Sequence, residues 1–107
     1  TYIEDVVDAL RRMSGLENSH TFNVGSNITV SLNEVIKLIE EFSGKNADIE
    51  NLERAYKDPD VVRPNLEKIK ETIEWEPTTK IQEGIKKTVS WYKENENYLK
   101  ELVYVNE

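Results

Sequence analysis

Hydrophobic residues recur at helical spacing in four stretches of the chain. Apolar side chains placed three and four positions apart form one face of a helix. We expect the last stretch to carry much of the core, because Trp75 and Trp91 bracket it. The apolar positions are Ile3, Val6, Val7, Leu10 and Met13; Leu32, Val35, Ile36, Ile39 and Phe42; Leu66, Ile69 and Ile73; and Ile81, Ile85, Thr88, Val89 and Tyr92.

Residues that start and stop helices stand at the ends of these stretches. Ser31 and Glu34 form a capping-box pattern before the second one, and Gly44 follows it. Asn65 precedes the third and is a plausible cap. Pro77 separates the third from the fourth, because proline cannot continue a helix.

Short alternations of polar and apolar residues predict strands between the helices. Residues 21–24 alternate before a turn at Gly25, residues 28–30 form a further extended pair, and residues 49–52 resemble another short strand. The predicted fold is therefore a small α+β domain, mostly helical, with two or three short strands.

Composition excludes several functional classes. The chain has 107 residues, enough for one domain, and a net charge of −7. Such acidity argues against binding to nucleic acid or to an anionic membrane surface. There is no cysteine for a disulfide framework or a thiolate metal site. The absence of cysteine fits a cytoplasmic protein, and no apolar run approaches the roughly 20 residues that span a bilayer. Since the chain starts without methionine, we interpret it as a fragment of a longer one.

The stretch from Trp75 to Tyr92 resembles the C-terminal signature of the extended short-chain dehydrogenase/reductases, the nucleotide-sugar epimerase/dehydratase family. That signature runs Gly-Trp-x-Pro, a few polar residues, Glu-Gly-hydrophobic, and then hydrophobic-x-Trp-Tyr. Here it reads Trp75-Glu76-Pro77, Glu83-Gly84-Ile85 and Trp91-Tyr92. Glu74 replaces the usual first glycine.

Three further motifs resemble this family and occur in its order. They are the segment 1–9, which is similar to the family's Asp-Val element; Phe22-Asn23-Val24-Gly25; and the helix start at Ser31. The resemblance implies that residues 1–98 form the C-terminal substrate-binding domain and residues 99–107 a tail. The parent would be an NAD(P)-dependent enzyme similar to UDP-glucose 4-epimerase. It would transiently oxidise a nucleoside-diphosphate sugar at C4, and then epimerise, dehydrate or reduce it.

The chain lacks the family's reaction centre. It has neither a glycine-rich dinucleotide loop nor the Tyr-x-x-x-Lys pair that supplies the acid/base. We therefore predict no catalytic residue and no cofactor site here, with NAD(P) bound by a missing Rossmann domain. We predict no metal site either. His20 is the sole histidine, and the Asp58-Pro59-Asp60 loop lacks the spacing of a calcium loop.

Four residues are predicted to bind substrate. Family members carry an arginine that contacts the diphosphate and, three or four residues later, an aspartate that binds a ribose hydroxyl. Arg54 and Asp58 match this pattern, and Arg63 is a competing arginine. A planar guanidinium suits bidentate phosphate recognition. Asn23 could line the same pocket. The alternative for Arg54 is an ion pair with a neighbouring carboxylate.

Other interpretations remain open at this stage. The chain could be a stand-alone, non-catalytic acidic interaction module derived from this domain, or a general helical scaffold. Asp5 is interpreted as a carboxylate at a helix N-terminus rather than a catalytic group. Without the Rossmann domain, we expect self-association through the apolar face that this domain would cover.

Overall fold

Helices account for all the regular secondary structure in the described part of the chain. The structure is a computed structural model that describes residues 1–53 and 59–103. It contains five helices in these residues: α1 (Ile3–Met13), α2 (Leu32–Ser43), α3 (Glu67–Ile73), α4 (Ile81–Glu94) and α5 (Glu96–Val103). The four helices expected from hydrophobic spacing are confirmed.

The predicted α+β class is wrong, because residues 1–53 and 59–103 contain no strand. The alternation at residues 21–24 is nevertheless visible in burial. Phe22 and Val24 pack against the core, whereas Thr21 and Asn23 are exposed. A strand also needs a neighbour with which to form a hydrogen-bonded ladder, and alternation does not specify one. Residues 28–30 and 49–52 likewise form no strand.

The chain divides into two compact units. The first contains Thr1–Val30 and Ile49–Ile81, and the second contains Ser31–Asp48 and Gln82–Glu107. In the first unit, a small core of Ala9, Ile69 and Trp75 lies where α1 meets α3 and the residues after it. The side chains packed around this core are Met13, Phe22, Val24, Leu66 and Ile73.

The fully buried residues of helix α1 do not belong to its apolar stripe. Asp5 and Ala9 are buried, one helical turn apart. Of the predicted apolar stripe, Ile3, Val7 and Leu10 are more than half exposed in this chain, whereas Val6 is half-buried and Met13 packs against the core. Periodicity therefore predicted the helix correctly, but it did not identify the fully buried positions.

In the second unit, α2 has both predicted caps. The Ser31 hydroxyl accepts the Glu34 N–H, the Glu34 side chain accepts the Ser31 N–H, and Gly44 ends the helix in the left-handed conformation. Lys93 of α4 donates to the Phe42 carbonyl at 2.8 Å. Trp91, expected in the core, is 47% exposed, whereas Trp75 is buried as expected, with 1% exposed.

None of the described helices combines the length and apolar character needed to cross a membrane.

Candidate functional site

Side-chain contacts join residues 23–29 to residues 63–65 in the first unit, and the two segments pair in opposite order along the chain. The Asn23 side-chain amide donates to the Asn65 carbonyl at 3.3 Å, and Arg63 donates to the Thr29 hydroxyl at 3.2 Å. Between these contacts, a Cβ on Gly25 would lie 3.1 Å from the ring of Pro64. That separation is tighter than an ordinary contact, so the close approach favours glycine. Side chains thus join two segments that form no sheet.

An open cleft of about 900 Å³ lies beside these segments, within the first unit. It is lined by residues 26–28 on one side, residues 63–67 with Lys70 on another, and residues 76–80 on a third. This volume falls in the range of small-molecule sites, roughly 300–1,000 Å³.

Two of the cations in the cleft lining differ in how they are engaged. Lys70 forms an ion pair with Glu76 at 2.6 Å, which holds the two side chains together across the lining. Arg63 donates one hydrogen bond to the neutral hydroxyl of Thr29. Because a guanidinium carries five N–H donors, this bond orients the group and leaves donors for an anion.

Asn65 fixes the start of α3 at the edge of the cleft. Its side-chain oxygen accepts the Glu67 N–H at 2.8 Å, and its amide donates to the Glu67 carboxylate at 3.2 Å. The N-cap residue of α3 is Leu66 rather than Asn65, which stands one position before it. The backbone carbonyl of Asn65 accepts from Asn23. Asn65 therefore joins Asn23 to the start of α3.

Asp5 does not line the cleft, but its carboxylate binds Thr78 and Thr79 on the third side. This carboxylate is 6% exposed and accepts four hydrogen bonds, two from backbone N–H groups and two from hydroxyls, all supplied by Thr78 and Thr79. Burial alone would raise the pKa of Asp5, but the hydrogen bonds from Thr79 and Thr78 outweigh it and lower the pKa below the ordinary value of 3.8. Asp5 is therefore a buried anion stabilised by donors.

Helix α1 also holds the residues just before this segment. The Trp75 indole donates to the Asp5 backbone carbonyl at 3.0 Å. Arg12, about two turns further along α1, donates to the carbonyls of Ile73 and Glu74 at 3.3 and 2.9 Å. The Trp-x-Pro stretch is thus attached to one helix at several points.

The predicted substrate-binding residues occupy different places. Arg63 lines the cleft. Asn23 does not line the cleft, but its side-chain amide donates to the carbonyl of Asn65, which does. Arg54 and Asp58 lie outside the described residues, and their predicted roles stay predictions.

The binding of the Asp5 carboxylate by Thr78 and Thr79 was not predicted from the sequence. Asp5 does stand in the first turn of α1, as interpreted, but its oxygens bind residues more than 70 positions away. Two features of the sequence could have indicated this contact. Asp5 lies one turn from the small residue Ala9 on a helix that also has an apolar stripe, and two threonines directly follow Trp75-Glu76-Pro77.

Residues 1–53 and 59–103 contain no group of three or more His, Cys, Asp or Glu side chains that could hold a metal ion. The lack of a bound metal stays a prediction from the sequence.

Sequence comparison relates the chain to curated enzymes. It is 32% identical over 103 residues to a UDP-glucuronate 4-epimerase of Thermodesulfobacterium geofontis, covering 95% of this chain and 32% of that enzyme. It is 28% identical over 92 residues to UDP-glucuronic acid decarboxylase 1 of Xenopus tropicalis, covering 86% of this chain and 22% of the relative. Both of these relatives are named for the conversion of UDP-glucuronate.

A plant relative gives the same result. UDP-glucuronic acid decarboxylase 5 of Arabidopsis thaliana is 29% identical over 84 residues, which is 78% of this chain and 25% of the relative. The chain thus spans a third or less of the length of these UDP-glucuronate enzymes. No protein-family model matches it. The similarity supports the nucleotide-sugar part of the resemblance drawn from the sequence motifs.

Proposed function

We propose that this chain supplies one wall of the nucleoside-diphosphate-sugar site in a nucleotide-sugar epimerase or decarboxylase. The observation that carries the proposal is the cleft lined by Arg63, in a chain whose homologues are named for conversion of UDP-glucuronate.

The chemistry of the cleft fits a diphosphate. The chain as a whole is acidic, with a net charge of −7, so an anionic ligand needs a local concentration of positive charge. Arg63, Lys70 and Lys80 line the cleft together with the carboxylates Glu67 and Glu76, so the lining carries one more positive than negative charge. Because Lys70 is paired with Glu76, Arg63 and Lys80 are the cations offered to the ligand. In this proposal, Arg63 donates to the diphosphate as a planar fork, and Lys80 acts as a second, more mobile cation.

Arg54 and Asp58 extend the proposed site by resemblance alone. Arg54 would share the diphosphate with Arg63, and Asp58 would accept from a ribose hydroxyl. Asn23 has an indirect role, because its amide holds the Asn65 carbonyl and so keeps residues 63–65 in place.

The chain does not hold the chemistry of the reaction in this proposal. Its sequence has no glycine-rich phosphate loop and no Tyr-x-x-x-Lys pair, so NAD(P) and the acid/base would belong to another part of the enzyme. We expect no turnover by this chain alone. With one wall present and most of the ligand solvated, affinity should be millimolar or weaker.

An NMR titration of the ¹⁵N-labelled chain with UDP, and separately with uridine, tests the proposal. We expect shifts at residues 26–28 and 63–65 with UDP and weaker ones with uridine, since the diphosphate makes the charged contacts. Shifts at Arg54 and Asp58 would add them to the site. Equal shifts with uridine, or none at the cleft with several millimolar UDP, would contradict the proposal.

A further inference from the structure

The structure assigns Asp5 a role as positioning residue for the cleft. We infer that its carboxylate fixes the backbone at Thr78 and Thr79, and thereby places the wall that carries Lys80 against the bound nucleotide sugar. Asp5 itself does not line the cleft. The identity of the ligand in this inference rests on the proposed function. The position of the wall rests on the hydrogen bonds within this chain.

The geometry is that of an anion enclosed by donors. The N–H groups of Thr78 and Thr79 reach the two different oxygens of Asp5, at 3.3 and 3.0 Å. Both hydroxyls donate to the first oxygen, at 3.0 and 3.2 Å. Since each oxygen receives a backbone donor, the carboxylate specifies the orientation of two successive peptide groups.

A carboxylate suits this position better than a neutral side chain. An ionised carboxylate is acceptor-only, whereas an amide of the same shape replaces one acceptor with an NH₂ donor. In Asp5→Asn, one backbone N–H of the two threonines would then face a donor. Asp5 itself is 6% exposed, so little water is available at its carboxylate to replace the lost bond.

The effect of losing this carboxylate should be local. Trp75 is bound to the backbone carbonyl of Asp5, which every side-chain substitution retains. Arg12 separately holds the carbonyls of Ile73 and Glu74. Residues 73–75 thus remain attached to α1 when Thr78 and Thr79 are released.

Hydrogen exchange of backbone amides in Asp5→Asn, compared with Asp8→Asn, tests the role. Asp8 is the matched control, because it lies on the same helix and pairs with Arg11 and Arg12 on an exposed side. In Asp5→Asn we expect exchange at Thr78 and Thr79 to accelerate about tenfold or more, as the loss of a charge-assisted bond implies. Amides of α3, including Ile69, should keep their rates, and Asp8→Asn should leave Thr78 and Thr79 unchanged.

A second, milder variant keeps the inference testable if Asp5→Asn does not fold. Thr79→Val removes one hydroxyl and keeps both backbone donors, so it should give a smaller acceleration at the same two amides. A uniform acceleration throughout the first unit in both variants would mean that Asp5 merely stabilises the fold, and would overturn the inference. Unchanged exchange at Thr78 and Thr79 in Asp5→Asn would overturn it as well.

Titration with UDP completes the test. Asp5→Asn should weaken binding about tenfold when the wall is released, with no such change in Asp8→Asn. A locally released wall with undiminished affinity would overturn the positioning role. Failure of the unaltered chain to bind UDP would instead refute the proposed function, and the exchange pattern would still decide whether Asp5 places the wall.

Discussion

The indole N–H of Trp75 donates to the backbone carbonyl of Asp5 at 3.0 Å, joining residues 70 positions apart in the sequence. This bond brings the residue before Glu76-Pro77 onto α1, next to the carboxylate that binds Thr78 and Thr79. Because Trp75 is 1% exposed, both the ring and its hydrogen bond are removed from water. This contact explains why Trp75 belongs to the core of the first unit.

Trp75→Phe should therefore lower the free energy of unfolding by roughly 2 kcal/mol, through lost packing and the lost indole bond. Urea unfolding followed by circular dichroism measures the change. Trp91→Phe is the control, because Trp91 is 47% exposed and its replacement should cost less than about 0.5 kcal/mol. Equal losses in the two variants would contradict the assignment of Trp75 to the core.

Acid should remove the contribution of Asp5 to stability. Its hydrogen bonds make its pKa lower in the folded chain than in the unfolded chain, so the unfolded state binds more protons as pH falls. The contribution is complete above the ordinary value of 3.8 and is lost as the pH falls through the lower folded value.

The difference in unfolding free energy between the unaltered chain and Asp5→Asn isolates this effect. It should be constant near neutral pH and should shrink below about pH 4. Hydrogen bonds from Arg11 and from Ser31 also lower the pKa values of Asp8 and Glu34 respectively, but both carboxylates are present in both proteins. A difference that stays constant into the acid range would contradict the account.

Glu74 adopts a conformation that favours glycine. It ends α3 with φ of 53° and ψ of 38°, in the left-handed region. This conformation costs a residue with a Cβ about 1 kcal/mol or more. The cost gives a physical reason for the glycine that the nucleotide-sugar epimerase/dehydratase signature has at this position. Glu74→Gly should unfold with a free energy about 1 kcal/mol higher than Glu74→Ala. A more stable Ala variant would show that the left-handed conformation is not required.

The capping box of α2 predicts a further difference. Ser31→Ala removes the oxygen that accepts the Glu34 N–H and should cost about 1 kcal/mol of unfolding free energy. Ser31→Thr retains an acceptor at the same position and should cost less. The same loss in both variants would indicate that the hydroxyl does not stabilise the helix.

Local patterns predicted the helices well. The stripes of apolar residues, the Ser31–Glu34 pair and Gly44 each act over a few positions, so the sequence specifies them without knowledge of the rest of the chain. The alternation at residues 21–24 was equally local, but a strand also needs a partner. Here that segment is joined to residues 63–65 through side chains such as Asn23 instead of a ladder.

Long-range relationships were not predictable in this way. The stripe of Ile3, Val7 and Leu10 marks a helix, yet the fully buried residues of that helix are Asp5 and Ala9. Arg63 was recognised as a candidate because its chemistry suits phosphate. The role of Asp5 depends on residues 73 and 74 positions away, and no spacing rule connects them.

The affinity of Arg63→Ala for UDP, compared with that of Arg11→Ala, tests the central claim most directly. The two variants lose the same charge, but Arg11 pairs with Asp8 on α1 and does not line the cleft. The account predicts that Arg63→Ala raises the dissociation constant about tenfold or more, while Arg11→Ala leaves it nearly unchanged. Equal affinities in the two variants would show that the cleft at Arg63 does not bind the nucleotide.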